Sequence, residues 1–309
     1  MGIITNTYKK NLLLRYDKDP AIPYYDVNSF DGLKIEENEF KNSKEINIKY
    51  FYYYRDNYLK DKVVLFCPGI GPGHTAYFKE INELTSHGYK VLTLDYAGCD
   101  KSGGDGLLSM NEPTRDVNDL LKYLNLKEEV VLFGHSLGAY TALNTINLRN
   151  DIKKAVIMSG FISLESEMMF LLKKRFIVKR ILKYENKIEP DYFGIDNVEY
   201  LKNTEDKLLF IHSTDDNLVE FSSSFGVVKT IKNENISLIE MNNKMHNPDY
   251  TDDAVSYMNS VFTEYNKLVK NKTLKTVEDR VNFFKDVSID RMAALDLDLF
   301  AKILNFIGK

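Results

Sequence analysis

Cysteine is scarce in this chain of 309 residues: there are only Cys67 and Cys99. Two thiols with no metal-ligand spacing exclude a disulfide framework and a zinc site. Both fall at or just past the ends of expected strands and read as reduced, partly buried thiols, so a cytoplasmic location is expected. Long hydrophobic runs are missing as well. No stretch approaches the ~18 apolar residues of a membrane helix, and no stable membrane insertion is expected. Met1–Pro20 has neither the apolar core nor the small-residue cleavage site of a signal peptide. Asn6 stands where acylation of a Met1-Gly2 start would need Ser or Thr. Nor does charge of one sign dominate. The balance is 41 basic against 45 acidic side chains, which calls for neither nucleic acid nor a generally anionic partner. Internal repeats and low-complexity linkers are absent.

Hydrophobic residues make up 44% and charged residues 28%, an ordinary balance for a globular protein. The length suits one large domain with an insertion, or two small ones. Residues up to about Asp31 are polar and Tyr-rich, with Pro20 and Pro23 breaking any helix. Leu33–Asn42 and Ile46–Arg55 alternate loosely and read as an antiparallel pair. Beyond them the rhythm changes. Strands are expected at Lys62–Cys67, Lys90–Tyr96, Val130–Phe133, Lys154–Ser159, Lys207–His212 and Ile236–Met241. Helices are expected at Ala76–His87, Glu112–Leu126, Leu137–Arg149, Ser222–Lys232 and Asp252–Lys270. Such alternation predicts an α/β fold with a parallel sheet covered on both faces, with ligands beyond the C-terminal strand ends.

Two segments fall outside that rhythm. Phe161–Asp206 interrupts it, and within it Glu165–Lys183 sets Met168, Met169, Leu172, Phe176, Ile177, Ile181 and Leu182 among six basic residues. A lid helix over the site fits this pattern. A packed insertion helix with a solvated basic face and a membrane-surface helix fit it too, although the basic residues are too few and too interrupted to anchor alone. In the tail, Val277–Phe284 and Asp290–Ile307 look helical and too apolar to be left bare. They are expected to dock on the domain or to form a subunit interface, making a homo-oligomer a candidate assembly.

The chemistry gathers at Gly134-His135-Ser136-Leu137-Gly138. A short apolar run leads into it and a helix-forming run follows, which is the strand, sharp turn and helix that give a G-x-S-x-G pattern its meaning. The glycines let neighbouring chain approach a strained turn. The serine is left at a helix N-terminus, which favours developing negative charge. Serine is a poor nucleophile until a base sits within reach and an acid orients that base. After Ser136, the strand ending at His212 runs into Ser213-Thr214-Asp215-Asp216-Asn217-Leu218-Val219. The strand ending at Met241 runs into Asn242-Asn243-Lys244-Met245-His246-Asn247.

With these segments the chain resembles the α/β-hydrolase superfamily over about Leu33 to Lys270, near its serine aminopeptidase and monoglyceride lipase branch. The resemblance implies a mostly parallel central sheet with helices on both faces and a helical cap. The expected division is a core of residues 1–160 and 207–272, a cap of 161–206 and a C-terminal helical extension of 273–309. The elbow matches the family's nucleophile motif at Ser136. Asp216-Asn217-Leu218-Val219 resembles the D-x-x-V segment, which implies Asp216 as the orienting acid. Asp215 stays open as an alternative, because adjacent turn carboxylates look alike in sequence, and Glu165 is a more distant one. His246 follows the last strand, as the family's base does. It is the one histidine of five that lies after both carboxylates in the right loop. The loop Pro68-Gly69-Ile70-Gly71-Pro72-Gly73-His74 resembles the family's H-G-x segment with Pro68 in place of the histidine. It implies oxyanion donors at the backbone N–H groups of Ile70 and Leu137. Asp95-Tyr96-Ala97-Gly98-Cys99-Asp100-Lys101-Ser102-Gly103 resembles the D-x-R-G-x-G-x-S segment, departs from it at Ala97 and Asp100, and reads as pocket structure.

The implied activity is hydrolysis of a small-molecule carboxylic ester through an acyl-enzyme, with no metal or organic cofactor needed. Aminopeptidase, monoacylglycerol lipase, thioesterase and acyltransferase chemistry use the same site, and a non-catalytic ligand-binding protein can keep the fold. Epoxide hydrolase and dehalogenase relatives place an aspartate where this chain has Ser136.

Overall fold

The structure is a computed structural model that describes residues 2–308. Met1 and Lys309, the outer limits of the expected terminal ranges, lie outside the described residues. Helix α1 (Ile3–Leu12) precedes an antiparallel pair, β1 (Lys34–Lys41) and β2 (Asn47–Tyr54). There follow β3 (Lys62–Cys67), α2 (Phe78–Ser86), β4 (Lys90–Leu94), α3 (Glu112–Leu124), β5 (Glu129–His135), α4 (Leu137–Leu148) and β6 (Lys154–Met158). Three helices, α5 (Leu164–Leu172), α6 (Arg175–Ile188) and α7 (Asn197–Asn203), separate β6 from β7 (Lys207–Ser213). The chain ends with α8 (Phe225–Val228), β8 (Ile236–Met241), α9 (Asp252–Lys270), α10 (Val277–Phe284), α11 (Ile289–Met292) and α12 (Leu297–Gly308).

The eight strands form one sheet in the order β1-β2-β4-β3-β5-β6-β7-β8. From β3 to β8 all neighbours are parallel, and β2 meets β4 antiparallel. The pleat sends successive side chains to opposite faces. Val63, Leu65, Cys67 and Leu132 join a core with α3, α4 and α6. Val64, Phe66, Val131 and Phe133 join a second core under α2 and α12. Both cysteines are buried and free, and burial pushes the Cys67 thiol up to about 12.

Asp290–Ile307, expected to be helical, breaks after Met292 into α11 and α12, and three other segments differ from the sequence expectation. The N-terminal stretch is not wholly irregular: α1 lies against α6, with the Tyr8 hydroxyl donating to Glu185 at 2.7 Å. The expected helix over Ser222–Lys232 shrinks to the single turn of α8, its neighbours being 3₁₀ and turn. The third difference is at the C-terminal end. Asp252–Lys270 is a helix, but its buried Val261 and Tyr265 pack on Phe284 and Met292 of α10 and α11, not on the sheet. The sheet is covered by α12, through Leu299, Phe300, Ile303 and Ile307. These four positions recur at helical spacing and form one stripe. Lys62 and Lys154 donate to the Ile307 carbonyl, at 2.9 and 3.2 Å, where cations favour a helix C-terminus.

A buried ion cluster joins the insertion to the core. Arg115 on α3 is 1% exposed. It meets Glu112 at 2.6 Å, Asp116 at 3.1 Å and also Glu189, just past α6. Burial pushes Glu112 up to about 8 and raises Asp116 and Glu189 as well. Arg115→Met should therefore cost about 3–5 kcal/mol, because three carboxyl groups would lose their only strong cation in a dry site. Urea denaturation checks this; a loss below about 1 kcal/mol would mean that protonation already neutralises the cluster.

Candidate active site

β5 delivers Ser136 to the C-terminal edge of the sheet, and α4 starts one residue later. Ser136 has φ 58° and ψ −123°, a conformation that costs an L-residue about 1–3 kcal/mol. The turn is held from three sides. A Cβ on Gly134 would lie 2.2 Å from the Gly138 carbonyl oxygen, and one on Gly138 would lie 1.9 Å from that of Cys67. One on Gly69 would come within 3.2 Å of the Ser136 Cβ. The 68–74 loop thus lies directly against the serine. Among the described residues, the backbone N–H groups of Ile70 and Leu137 donate to nothing within the chain, and Leu137 opens a 12-residue helix.

Asp216 and His246 come together from the loops after β7 and β8. The His246 Nδ1 lies 2.8 Å from Asp216 Oδ2 and 3.0 Å from Oδ1. Asp216 also accepts from the backbone N–H groups of Leu218 and Val219 at 2.9 and 3.0 Å. His212 Nε2 stands 3.2 Å from it. Burial would raise this carboxyl, but hydrogen bonds from His212 and His246 outweigh burial and hold it well below the usual carboxylate range. Asp215, the alternative in sequence, does not meet His246. Its exposed carboxylate accepts from the Ser213 hydroxyl at 2.5 Å and the Met245 N–H at 3.3 Å, tying the two loops together. Glu165 lines a cavity of about 330 Å³ with Tyr140, Leu182 and Phe193, a cavity that Ser136, Asp216 and His246 do not line. The Nδ1 bond leaves the His246 Nε2 for chemistry; in this conformation no hydrogen bond joins it to the Ser136 hydroxyl among the described residues.

Four residues that the sequence did not single out shape the site. His135, the variable position beside Ser136, lies tilted against His246 with ring centroids 4.8 Å apart. Its Nε2 is 2.8 Å from the His246 carbonyl and its Nδ1 is 2.9 Å from the Tyr77 hydroxyl. Burial pushes His135 down to about 3, so it is a neutral ring that donates through Nε2 and accepts through Nδ1. The Tyr77 oxygen in turn accepts from the Gly69 N–H at 2.9 Å. One neutral chain of hydrogen bonds therefore links the 68–74 loop to the His246 backbone. His74 looks catalytic by composition but is bound into the core. Its Nδ1 is 2.8 Å from Asp95 and its Nε2 2.9 Å from the Tyr53 hydroxyl, and it is 1% exposed. It pins the loop to the end of β4. Last, Glu167 on α5 is 5% exposed. Burial, then Asp216 and Glu220, push it up to about 8, and its Oε2 has no partner.

Glu80 and Asp249 line a small pocket of about 180 Å³ with Tyr77, His135 and Tyr250. Burial raises both carboxyl groups, Asp249 to about 7, and Asp249 raises Glu80 further. A carboxyl raised on folding stabilises below its unfolded pKa and loses that contribution as pH rises through the folded value. Glu80→Gln should thus gain stability relative to wild type as pH rises from about 4 to about 8. Thermal melts across that range read it; a constant offset would mean that the pair holds no extra proton.

The family model described as serine aminopeptidase, S33, matches residues 59–207, a span that holds Ser136 but neither Asp216 nor His246. An epoxide hydrolase of Caballeronia sordidicola is 32% identical over 95 residues, 30% of this chain and 29% of that protein. A probable esterase of Oryza sativa subsp. indica is 25% identical over 146 residues, 46% of this chain and 52% of its own. The chain thus spans about half or less of the length of these curated relatives. Among solved structures, an esterase of Pyrococcus furiosus superposes with a TM-score of 0.56 at 20% identity, over 85% of this chain and 98% of the other. An acylaminoacyl peptidase of Pyrococcus horikoshii gives 0.54 at 19% identity, over 69% and 37%. Among the described residues no helix is long and apolar enough to cross a membrane.

Proposed function

We propose, from its α/β-hydrolase fold, that the chain is a serine hydrolase of carboxylic esters with Ser136, His246 and Asp216 as its triad. The observation that carries this reading is the His246–Asp216 pair at 2.8 Å, set beyond the same sheet edge as a serine on a strained elbow.

The steps follow from the geometry. His246 Nε2 takes the Ser136 proton as the oxygen attacks the ester carbonyl. Asp216 keeps the other ring proton on Nδ1 and stabilises the imidazolium. The tetrahedral oxyanion is received by the Ile70 and Leu137 N–H groups, each worth about 3 kcal/mol of barrier lowering. His246 then protonates the leaving alcohol, and water repeats the cycle on the acyl-Ser136. A small movement must close the Ser136–His246 hydrogen bond, as is common in unliganded sites. In this reading residues 161–206 form the cap that shapes the acyl pocket. An aspartate nucleophile would suit epoxide opening; the serine at 136 favours acyl transfer.

Aminopeptidase chemistry on the same triad is the second reading. It is favoured by Glu167, a buried carboxyl with a free oxygen close enough to Asp216 to feel its charge. A substrate ammonium there would draw the proton off Glu167 and so find a counter-charge.

Fluorophosphonate labelling tests the proposal, with the modified peptide identified by mass spectrometry and Ser136→Ala as the blank. Wild type should label at Ser136 and turn over p-nitrophenyl esters, with a chain-length optimum that sizes the pocket. Faster turnover of aminoacyl amides than of esters would favour the second reading. Absent labelling and turnover, together with tight ligand binding, would make the chain a binding protein.

A further inference from the structure

The outer face of the insertion carries charge that the proposed chemistry does not use. Along the 14 residues of α6, Arg175, Lys179, Lys183 and Lys187 recur every four residues, so they form one stripe on the helix. Lys173 and Lys174 precede the stripe and Arg180 flanks it. All seven side chains are exposed. Among the described residues none of them meets a carboxylate; along the chain, the nearest paired lysines are Lys154 and Lys202. The one acid in the stretch 171–188 is Glu185, and it faces inward to the Tyr8 hydroxyl and the Asn111 amide. The face is strongly cationic on a chain whose net charge is −4.

Apolar side chains protrude among these cations. Phe176 is 65% and Leu171 44% exposed. Phe176 sits one turn before Arg180 and two turns before Lys183, and so on the same side of α6. The apolar residues that α6 needs for its own packing, Val178, Ile181 and Tyr184, point the other way and are buried. Beside it, α1 adds Lys9 and Lys10 in its last turn and a bare Ile3, 86% exposed.

We infer that this face of α6 is a docking surface for an anionic lipid membrane, on which the lysines and arginines meet acidic headgroups while Phe176 and Leu171 enter the interfacial layer. The charge gives long-range attraction that salt screens. The protruding aromatic and aliphatic side chains give the short-range term that a purely electrostatic contact lacks. The sequence pattern alone looked too interrupted to anchor. The fold turns Val178, Ile181, Tyr184 and Glu185 inward and leaves the cations contiguous, with no exposed acid between them. A nucleic acid fits less well. The face is one helix, and apart from Asn186 its exposed non-cationic residues are apolar rather than hydrogen-bonding. The inference does not depend on the chemistry proposed for Ser136.

Vesicle flotation of the full chain tests it, and reads out without any turnover. Wild type should float with phosphatidylcholine vesicles containing about 30 mol % phosphatidylserine, not with phosphatidylcholine alone. It should be released near 0.5 M salt, where the screening length falls to about 4 Å. Lys179→Gln with Lys183→Gln should lower the partition coefficient roughly 25-fold, about fivefold per charge. Phe176→Ser should lower it several-fold at unchanged charge. Lys60→Gln with Lys232→Gln, the same charge change on other exposed lysines, should leave it unaltered. Thermal melts of all variants should match wild type, since none of these side chains is buried. The inference is overturned if wild type ignores the anionic vesicles at low salt or binds neutral vesicles equally. It is also overturned if the control pair weakens binding as much as the stripe pair, or if the stripe variant loses binding to single-stranded RNA while keeping it to vesicles.

Discussion

Ser136→Gly should abolish ester turnover, lowering kcat by about 10⁵-fold, and should leave the protein as stable as wild type or about 1 kcal/mol more stable. The two effects have one origin. At φ 58° and ψ −123° an L-residue holds its Cβ against its own backbone, at about 1–3 kcal/mol. Glycine removes that strain. Against this, glycine gives the unfolded chain about 0.5–1 kcal/mol more conformational entropy to lose. The strain term is the larger, so the balance is neutral to favourable. Ser136→Ala keeps the Cβ and should lose turnover just as fully without the gain. Paired urea melts and p-nitrophenyl ester kinetics on the two variants separate the claims. Residual turnover above about 1% of wild type would place the nucleophile elsewhere. A glycine variant clearly less stable than the alanine one would remove the strain argument.

Asp216→Asn should lower kcat by about 10⁴-fold, whereas Asp215→Asn should lower it less than about tenfold. The carboxylates are neighbours in sequence and do different things. Asp216 takes the His246 Nδ1–H while held by two backbone N–H groups and His212. An amide there can turn its NH₂ to the ring and stabilise the wrong tautomer, taking the proton-accepting lone pair away from Nε2. The same change removes a buried charge-assisted acceptor, costing about 1.5–3 kcal/mol of stability. That loss should shrink on acidification: a carboxyl held below its unfolded pKa stabilises above that value and loses the contribution as pH falls through the folded one. Asp215 holds the β8 loop through Met245 and is exposed, so its loss should loosen the site without removing the charge from His246. If Asp215→Asn proved the more damaging of the two, the orienting acid would be reassigned.

What could be read along the chain was what one element carries by itself. The run into Gly134–Gly138 announces its strand, turn and helix because each needs only its own few residues. The alternation of strands and helices implied the parallel sheet for the same reason, and loop position together with the family resemblance suggested Asp216 and His246. Choosing Asp216 over Asp215 was different. Both sit in one turn, and the choice depends on where a histidine thirty positions on comes to rest. The hydrogen-bonded chain from Gly69 through Tyr77 and His135 to His246 joins loops from three parts of the sequence, and no local pattern encodes it.

Helices sort the same way. Asp252–Lys270 and Asp290–Ile307 both announce themselves by period, but which of them covers the sheet is a competition between apolar faces. The α12 stripe of Leu299, Phe300, Ile303 and Ile307 wins it, and α9 pairs instead with α10 and α11. By itself, then, the sequence determined most element types, the sheet class and the sharp turn at Ser136, because backbone sterics and side-chain period act within a few residues. Only the tertiary structure decided which carboxylate meets the histidine, which helix closes the core and which face of α6 is left cationic and bare. Each of these depends on burial against a second element, and burial is a property of the pair.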